Sequence, residues 1–209
     1  IKAIGTVTAD SESKIQAARD AYDKLTAAQK KQVSNYDVLT AAEKAFYTLT
    51  GELPFKDLAG HWALSFIRRA YTDGLMNGVS SDRFAPDEKL NRAMVVTMLY
   101  RLAGEPSVST GRSFSDVPED SWYAKSVAWA SKNGIVNGIG NDQFAPLENI
   151  TREQLAAMLY RYAQYCKYDV SVGEDTNILS YSDAQEISAY AVSAIQWACG
   201  AGLIQGHTE

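Results

Sequence analysis

Residues 62–101, WALSFIRRAYTDGLMNGVSSDRFAPDEKLNRAMVVTMLYR, return as residues 122–161, WYAKSVAWASKNGIVNGIGNDQFAPLENITREQLAAMLYR. Aligned without a gap, the two stretches share fifteen of forty positions. The identical pairs include Trp62/Trp122, Ala70/Ala130, Gly74/Gly134, Asn77/Asn137, Gly78/Gly138, Phe84/Phe144, Pro86/Pro146 and Arg92/Arg152. Leu75/Ile135, Leu90/Ile150 and Val95/Leu155 are conservative. A unit this small cannot bury its own apolar face, so copies are expected to stack around a shared core.

Working outward, Phe55-Lys56-Asp57 matches Phe114-Ser115-Asp116, and Tyr181-Ser182-Asp183 opens a third copy. There Tyr190 takes the position of Trp62 and Trp122, Trp197 matches Trp129, and Gly202 and Gly206 match Gly134 and Gly138. The sequence stops at Glu209, before the loop and second helix that a third copy would carry. The copies therefore read as residues 54–103, 114–168 and 181–209, with polar linkers near 103–113 and 169–180.

Each copy reads as two helices around a structured loop. The first helix is expected to open at the Trp, with Trp62, Phe66 and Ala70 on one stripe and Ile67 and Tyr71 beside it. Gly74 and Gly134 sit where a helix ends in a left-handed residue. Asn77-Gly78 and Asn137-Gly138 read as tight turns favouring positive φ. Phe84 and Phe144 return as apolar anchors. Asn91 is an N-cap candidate, and Thr151 to Gln154 is a capping box opening the second helix of the next copy. That helix is expected to bury Val95, Met98, Leu99 and Leu102, or Leu155, Met158, Leu159 and Tyr162.

Residues 1–53 read as a separate helical segment. Ile15, Ala18, Tyr22 and Leu25 share one helix face, as do Leu39, Ala42, Phe46 and Leu49. Thr26-Ala27-Ala28-Gln29 is a capping box for a short helix ending near Val33. Three helices packed on Tyr22, Leu25, Val33, Leu39 and Phe46 are expected. Residues 1–9 read as the tail of something upstream. The fold class is mainly α: tandem helix-loop-helix repeats in a pseudo-threefold bundle, after an N-terminal three-helix segment.

Composition narrows the function. The 209 residues carry a formal charge of −5 without a Lys/Arg cluster, which argues against nucleic acid. No stretch approaches the roughly 18–20 apolar residues of a membrane span. Two cysteines exclude a disulfide-dense scaffold; Cys166 and Cys199 are open to pairing or to burial as free thiols. Two histidines, His61 and His207, argue against a His-rich metal site. Asp82 and Asp142 lack the alternating ligands of a calcium loop. The chain opens at Ile1 with no signal pattern and reads as a fragment or processed chain. It holds no Gly-x-Ser-x-Gly elbow, His-Glu-x-x-His pair or phosphate-binding Gly-Lys-Ser/Thr loop. Repeated surfaces suit repeated or extended ligands better than catalysis, so a non-catalytic module without a cofactor or metal is expected.

Phe55-x-Asp57, His61-Trp62-Ala63, Gly74-Leu75-x-x-Gly78, Phe84-x-Pro86 and Arg92-Ala93 resemble the S-layer homology repeat. So do Phe114-x-Asp116-Val117, Trp122, Gly134-Ile135-x-x-Gly138, Phe144-x-Pro146 and Thr151-Arg152-Glu153. The resemblance covers residues 55–209. It implies three tandem repeats in a pseudo-threefold bundle, a pseudo-trimer within one chain. It also implies binding of a secondary cell-wall polymer, often with pyruvylated amino-sugar ends, outside the cell at a bacterial surface. Residues 1–53 resemble small three-helix spacers of bacterial surface proteins. The family's Thr-Arg-Ala-Glu is here Asn91-Arg92-Ala93-Met94 and Thr151-Arg152-Glu153-Gln154.

Arg92 and Arg152 open helices, where free N–H groups and the dipole favour an anion and the guanidinium adds a bidentate fork. They read either as contacts to an anionic glycan end or as loop-holding arginines paired to a neighbouring carboxylate. Asp57, Asp116 and Asp183 read first as caps or loop hydrogen bonds, with any ligand contact secondary. Trp62 and Trp122 read as core or as sugar-stacking groove residues, and Trp129 and Trp197 face the same choice. Gly78 and Gly138 permit close ligand approach, although turn geometry alone accounts for them. The rival function is a protein–protein scaffold of a surface protein.

Overall fold

The computed structural model describes residues 1–108, 114–173 and 175–206. Residues 109–113 of the first linker, Glu174 of the second, and the third copy's 207–209 with His207 lie outside the described residues. The described residues form eight α-helices and no strand, the helical class expected. They are α1 (Glu12–Asp23), α2 (Ala27–Lys30), α3 (Tyr36–Thr50), α4 (Leu64–Thr72), α5 (Arg92–Leu102), α6 (Ala124–Lys132), α7 (Arg152–Tyr165) and α8 (Val192–Gly200). The chain divides into two compact units, Ile1–Glu88 and Lys89–Glu209.

In the first unit, α1 and α3 bury Ile15, Leu39, Ala42 and Phe46. The Thr26 capping box forms as its sequence requires, the hydroxyl accepting the Gln29 N–H at 3.3 Å. Residues 1–9 pack on this bundle. Ile4 is buried in the same cluster, with Ile1 and Val7 packed on it, because a 3-10 turn over Lys2–Ile4 aims apolar residues spaced by three at one target. Arg19 forks onto Glu43, Nε to Oε1 at 2.7 Å and Nη2 to Oε2 at 2.6 Å. The Glu43 hydrogen bond dominates and raises the guanidinium pKa further, against burial. Leu49, expected on the buried face, is exposed; in the last turn of α3 it is Tyr47 that turns inward, meeting Tyr71 of α4 at 6.1 Å. Phe55, Leu58, Ile67 and Phe84 form a second cluster with Tyr71 and Met76 beside it.

In the second unit the second helix of one copy packs on the first helix of the next: α5 on α6, and α7 on α8. Both junctions use the same ring pair in the same register. Tyr100 meets Trp129 at 5.5 Å, and Tyr160 meets Trp197 at 5.6 Å. Next to them the first junction places the Thr97 and Ser126 hydroxyls 2.8 Å apart, while the second has buried Ala157 and Ala194. Val95, Leu99, Val127, Ile135 and Phe144 fill the space between α5, α6 and the following loop. Each contributes about 1.5–3 kcal/mol on burial. Leu102, expected inside, is exposed at the end of α5, two residues past the Tyr100 contact to Trp129.

Candidate functional site

The two complete loops are built alike from the backbone outward. Gly74 and Gly134 end α4 and α6 with φ of 73° and 68°, the left-handed stop expected of them. The chain then runs through Asn77-Gly78 and Asn137-Gly138, and none of these four residues takes a positive φ. Glycine is required there by contact instead. A Cβ on Gly78 would lie 2.4 Å from Phe55 Cε1, and one on Gly138 2.8 Å from Phe114 Cε1. In the third copy, a Cβ on Gly206 would lie 2.5 Å from Tyr181 Cε1. The ring of each Phe/Tyr-x-Asp motif therefore rests on the glycine of its own copy.

The aspartates hold the loop's far side. Asp57 accepts the N–H groups of Phe84 at 3.0 Å and Ala85 at 2.7 Å. Asp116 accepts those of Phe144 at 2.8 Å and Ala145 at 2.7 Å. Ala85 and Ala145 sit at φ of 61° and 55°, a strained left-handed conformation that two charge-assisted bonds to one carboxylate sustain. Desolvation pushes the Asp57 carboxyl up, but the Phe84 and Ala85 N–H groups and Arg83 outweigh it and hold it below its ordinary value. Asp183 lies at the start of the short 3-10 turn Ala184–Glu186.

Arg92 is 5% exposed. Its Nε donates to Phe144 O at 2.8 Å, Nη2 to Asn137 O at 3.2 Å and Nη1 to Gln154 Oε1 at 3.3 Å, with the guanidinium 4.6 Å over the Phe144 ring. Burial lowers its pKa, against the raising fields of Glu148, Tyr190 and Asp116. The helix opening beside it is occupied by carbonyls of the second copy: Arg92 N–H donates to Glu148 O and Ala93 N–H to Pro146 O. Asn91 caps Met94 N–H at 2.9 Å. Arg152, by contrast, is exposed. Its Nη2 donates to Gln205 O at 2.5 Å. Gln205 precedes Gly206 as Asn137 precedes Gly138, so each arginine grips the same carbonyl of the following copy's turn.

The four tryptophans divide by position. Trp129 and Trp197 are core. Trp62 is 81% exposed and Trp122 59%, and Tyr190, at the same register, is 52% exposed. Phe66 is also exposed, so the Trp62–Phe66–Ala70 stripe is not the packing face of α4; Ile67 and Tyr71 on the neighbouring stripe are. The helices also begin two residues after each Trp, at Leu64 and Ala124. His61 accepts the Ala63 N–H at Nδ1 and leans on Trp62, its other nitrogen 3.3 Å from Asp87. Glu153, which sequence reasoning passed over, accepts hydrogen bonds from Ser188 and Tyr190. The signal available was its departure from the Ala at that motif position. Cys166 and Cys199 are free, half-buried thiols. Among the described residues no cluster of His, Cys, Asp and Glu is placed to hold a metal, and no helix is long and apolar enough to cross a membrane.

The repeat pattern is shared with known proteins. The S-layer homology domain matches residues 54–93, 113–156 and 180–208. The chain is 35% identical over 157 residues to an endoglucanase of Bacillus sp. strain KSM-635, covering 75% of this chain and 16% of that protein. It is 28% identical over 153 residues to an amylopullulanase of Thermoanaerobacterium thermosulfurigenes, covering 73% and 8%. With an S-layer protein of Bacillus licheniformis the identity is 31% over 102 residues, 48% of this chain and 12% of that protein. The chain thus spans less than a fifth of the length of each, and it matches the repeat region of larger surface proteins and enzymes. Proteins bearing these repeats lie at the bacterial cell surface, where they anchor to the wall. The helix-loop-helix copies carry that repeat pattern over more than half of the sequence, and this chain belongs to the S-layer homology domain family.

Proposed function

We propose that this chain is a non-catalytic anchor that binds an anionic secondary cell-wall polymer, holding a larger protein at the bacterial surface. One observation carries this reading. An exposed aromatic ring recurs at the same register of each copy, Trp62, Trp122 and Tyr190, just ahead of the copy's first helix. Exposed rings present a flat apolar face to a sugar, and their fixed repetition suits a polymer. In this reading the turns at Asn77-Gly78 and Asn137-Gly138 shape the groove walls, and Asp57 and Asp116 hold the loops behind them. Arg92 supports the second copy's turn from beneath, and the exposed Arg152, holding Gln205 O through Nη2, brings its positive charge to the third copy's turn, where it would attract a carboxylate such as that of a pyruvyl group.

The test is binding of the full chain to purified wall polymer, with and without its pyruvyl groups. Preference for the pyruvylated form is expected, and Arg152→Ala should abolish that preference. Equal binding to both forms would overturn the carboxylate part. Absence of binding to either, with capture of a surface protein instead, would favour the scaffold reading.

A further inference from the structure

The turns and exposed aromatics recur, but the contact that Glu153 makes between copies does not. Glu153 is the second residue of α7, where the first copy has Ala93. Its Oε1 accepts the Tyr190 hydroxyl at 3.0 Å and the Ser188 hydroxyl at 3.1 Å, and its Oε2 accepts the Ser188 backbone N–H at 3.0 Å. Three donors from the third copy converge on one half-buried carboxylate of the second. At the preceding junction the same two register positions are Ala93 and Asp120, which cannot make these bonds. The tether belongs to this one junction. It ends on the third copy's counterpart of Trp62 and Trp122. The tethered phenol also lies within the field of Arg92, the residue holding the second copy's turn.

We propose that Glu153 is a positioning residue that fixes the Tyr190 ring as a glycan-stacking platform where the second and third copies meet; this rests on the polymer-binding reading above. A ring ordered in advance leaves less rotamer freedom to be lost when a sugar docks, which raises affinity without any new contact. A tyrosine suits this junction because its hydroxyl can be anchored while its face stays bare. Burial, then the Glu153 hydrogen bond, pushes the Tyr190 phenol up from its ordinary value, which supplies a spectroscopic handle.

The experiment uses the full chain and the variants Glu153→Ala, Tyr190→Phe, Tyr190→Ala and the double variant Glu153→Ala/Tyr190→Phe. Ala93 already occupies the same helix position in the first copy, so alanine at 153 is compatible with the fold. The first readout is the alkaline titration of the Tyr190 ring-carbon resonance, assigned by its loss in Tyr190→Phe. Glu153→Ala should move that titration down toward the ordinary tyrosine value. The second is affinity for purified wall polymer. Glu153→Ala and Tyr190→Phe should each weaken binding roughly fivefold, the double variant no further, and Tyr190→Ala more than either. Parent-like affinity in Glu153→Ala, or additive losses in the double variant, would overturn the proposal. A parent chain that binds no polymer would remove the reading beneath it and the platform role together. An unchanged Tyr190 titration in Glu153→Ala would overturn the tether itself, whatever the polymer does.

Discussion

Helices α4 and α6 occupy the same place in their copies, yet they present different faces. At α6 the register positions 126, 129 and 130 are Ser, Trp and Ala, all buried, with Trp129 against Tyr100 of α5. At α4 the equivalent positions are Phe66, Arg69 and Ala70; Phe66 is 70% exposed and Arg69 pairs with Asp73 on the helix surface. The loops that follow are nevertheless the same, with an aspartate holding two N–H groups, one of them on a strained alanine, and a ring seated on a glycine. The lesson is that two separable devices share one repeat. The loop is closed by side chains of its own copy, the aspartate and the ring, acting on its backbone, so it persists in both copies. The helix face is a junction device, set by whichever helix covers it, and it differs between them.

The largest expected effect comes from the ring that α6 has and α4 lacks. Trp129→Ala should destabilise the chain by about 3–5 kcal/mol, read by denaturant unfolding, because it empties a site lined by Tyr100, Tyr162 and Tyr165. A loss below about 1 kcal/mol would mean that the junction is not a packed core. Exchanging the faces should give a smaller and asymmetric response. Ser126→Phe places a ring where Thr97 now bonds a hydroxyl, and should cost about 1–3 kcal/mol by overpacking, plus the lost bond. Phe66→Ser should stay within about 0.5 kcal/mol, since the ring it removes is largely in water. Equal costs would erase the distinction between the two helices.

The smallest effect tests what the copies share. Asp57 has a lowered folded pKa, so its contribution is fully present above the ordinary aspartate value of 3.8 and is lost as pH falls through the lower folded value. Amide exchange at Phe84 and Ala85 should therefore speed up below about pH 4, beyond the intrinsic trend. Asp57→Asn should remove that acid response, and a response that survives the substitution would assign it to another group.

Much of the loop was legible in advance. Gly74 and Gly134 read as left-handed stops, Asn91 and Thr151 as caps, and Asp57 and Asp116 as loop holders, because each acts over a short span or recurs at a fixed spacing. The glycines at 78 and 138 were read for the wrong cause. The Asn-Gly dipeptide suggests positive φ, whereas the requirement comes from Phe55 and Phe114, more than twenty residues upstream. The aromatic stripe of α4 misled for a similar reason. Helical spacing places Trp62 and Phe66 together, but nothing in the spacing says which stripe a neighbouring helix covers.

The candidate site shows the same limit more sharply. Arg92 and Arg152 align at one repeat position, each the first residue of a second helix. One is buried on two carbonyls, an amide and a ring, and the other is exposed with its fork reaching Gln205 O. Glu153 carried no signal beyond replacing an alanine, and its partners Ser188 and Tyr190 lie 35 and 37 residues away.

The sequence by itself determined the helical class, the period of the repeat, its caps and stops, and the family, because these depend on local propensity and on self-similarity along the chain. Only the tertiary structure decided which helix of one copy meets which helix of the next, which rings face water, and which arginine is buried. Those outcomes depend on through-space contacts between residues dozens of positions apart, and equivalent repeat positions take different environments when different neighbours cover them.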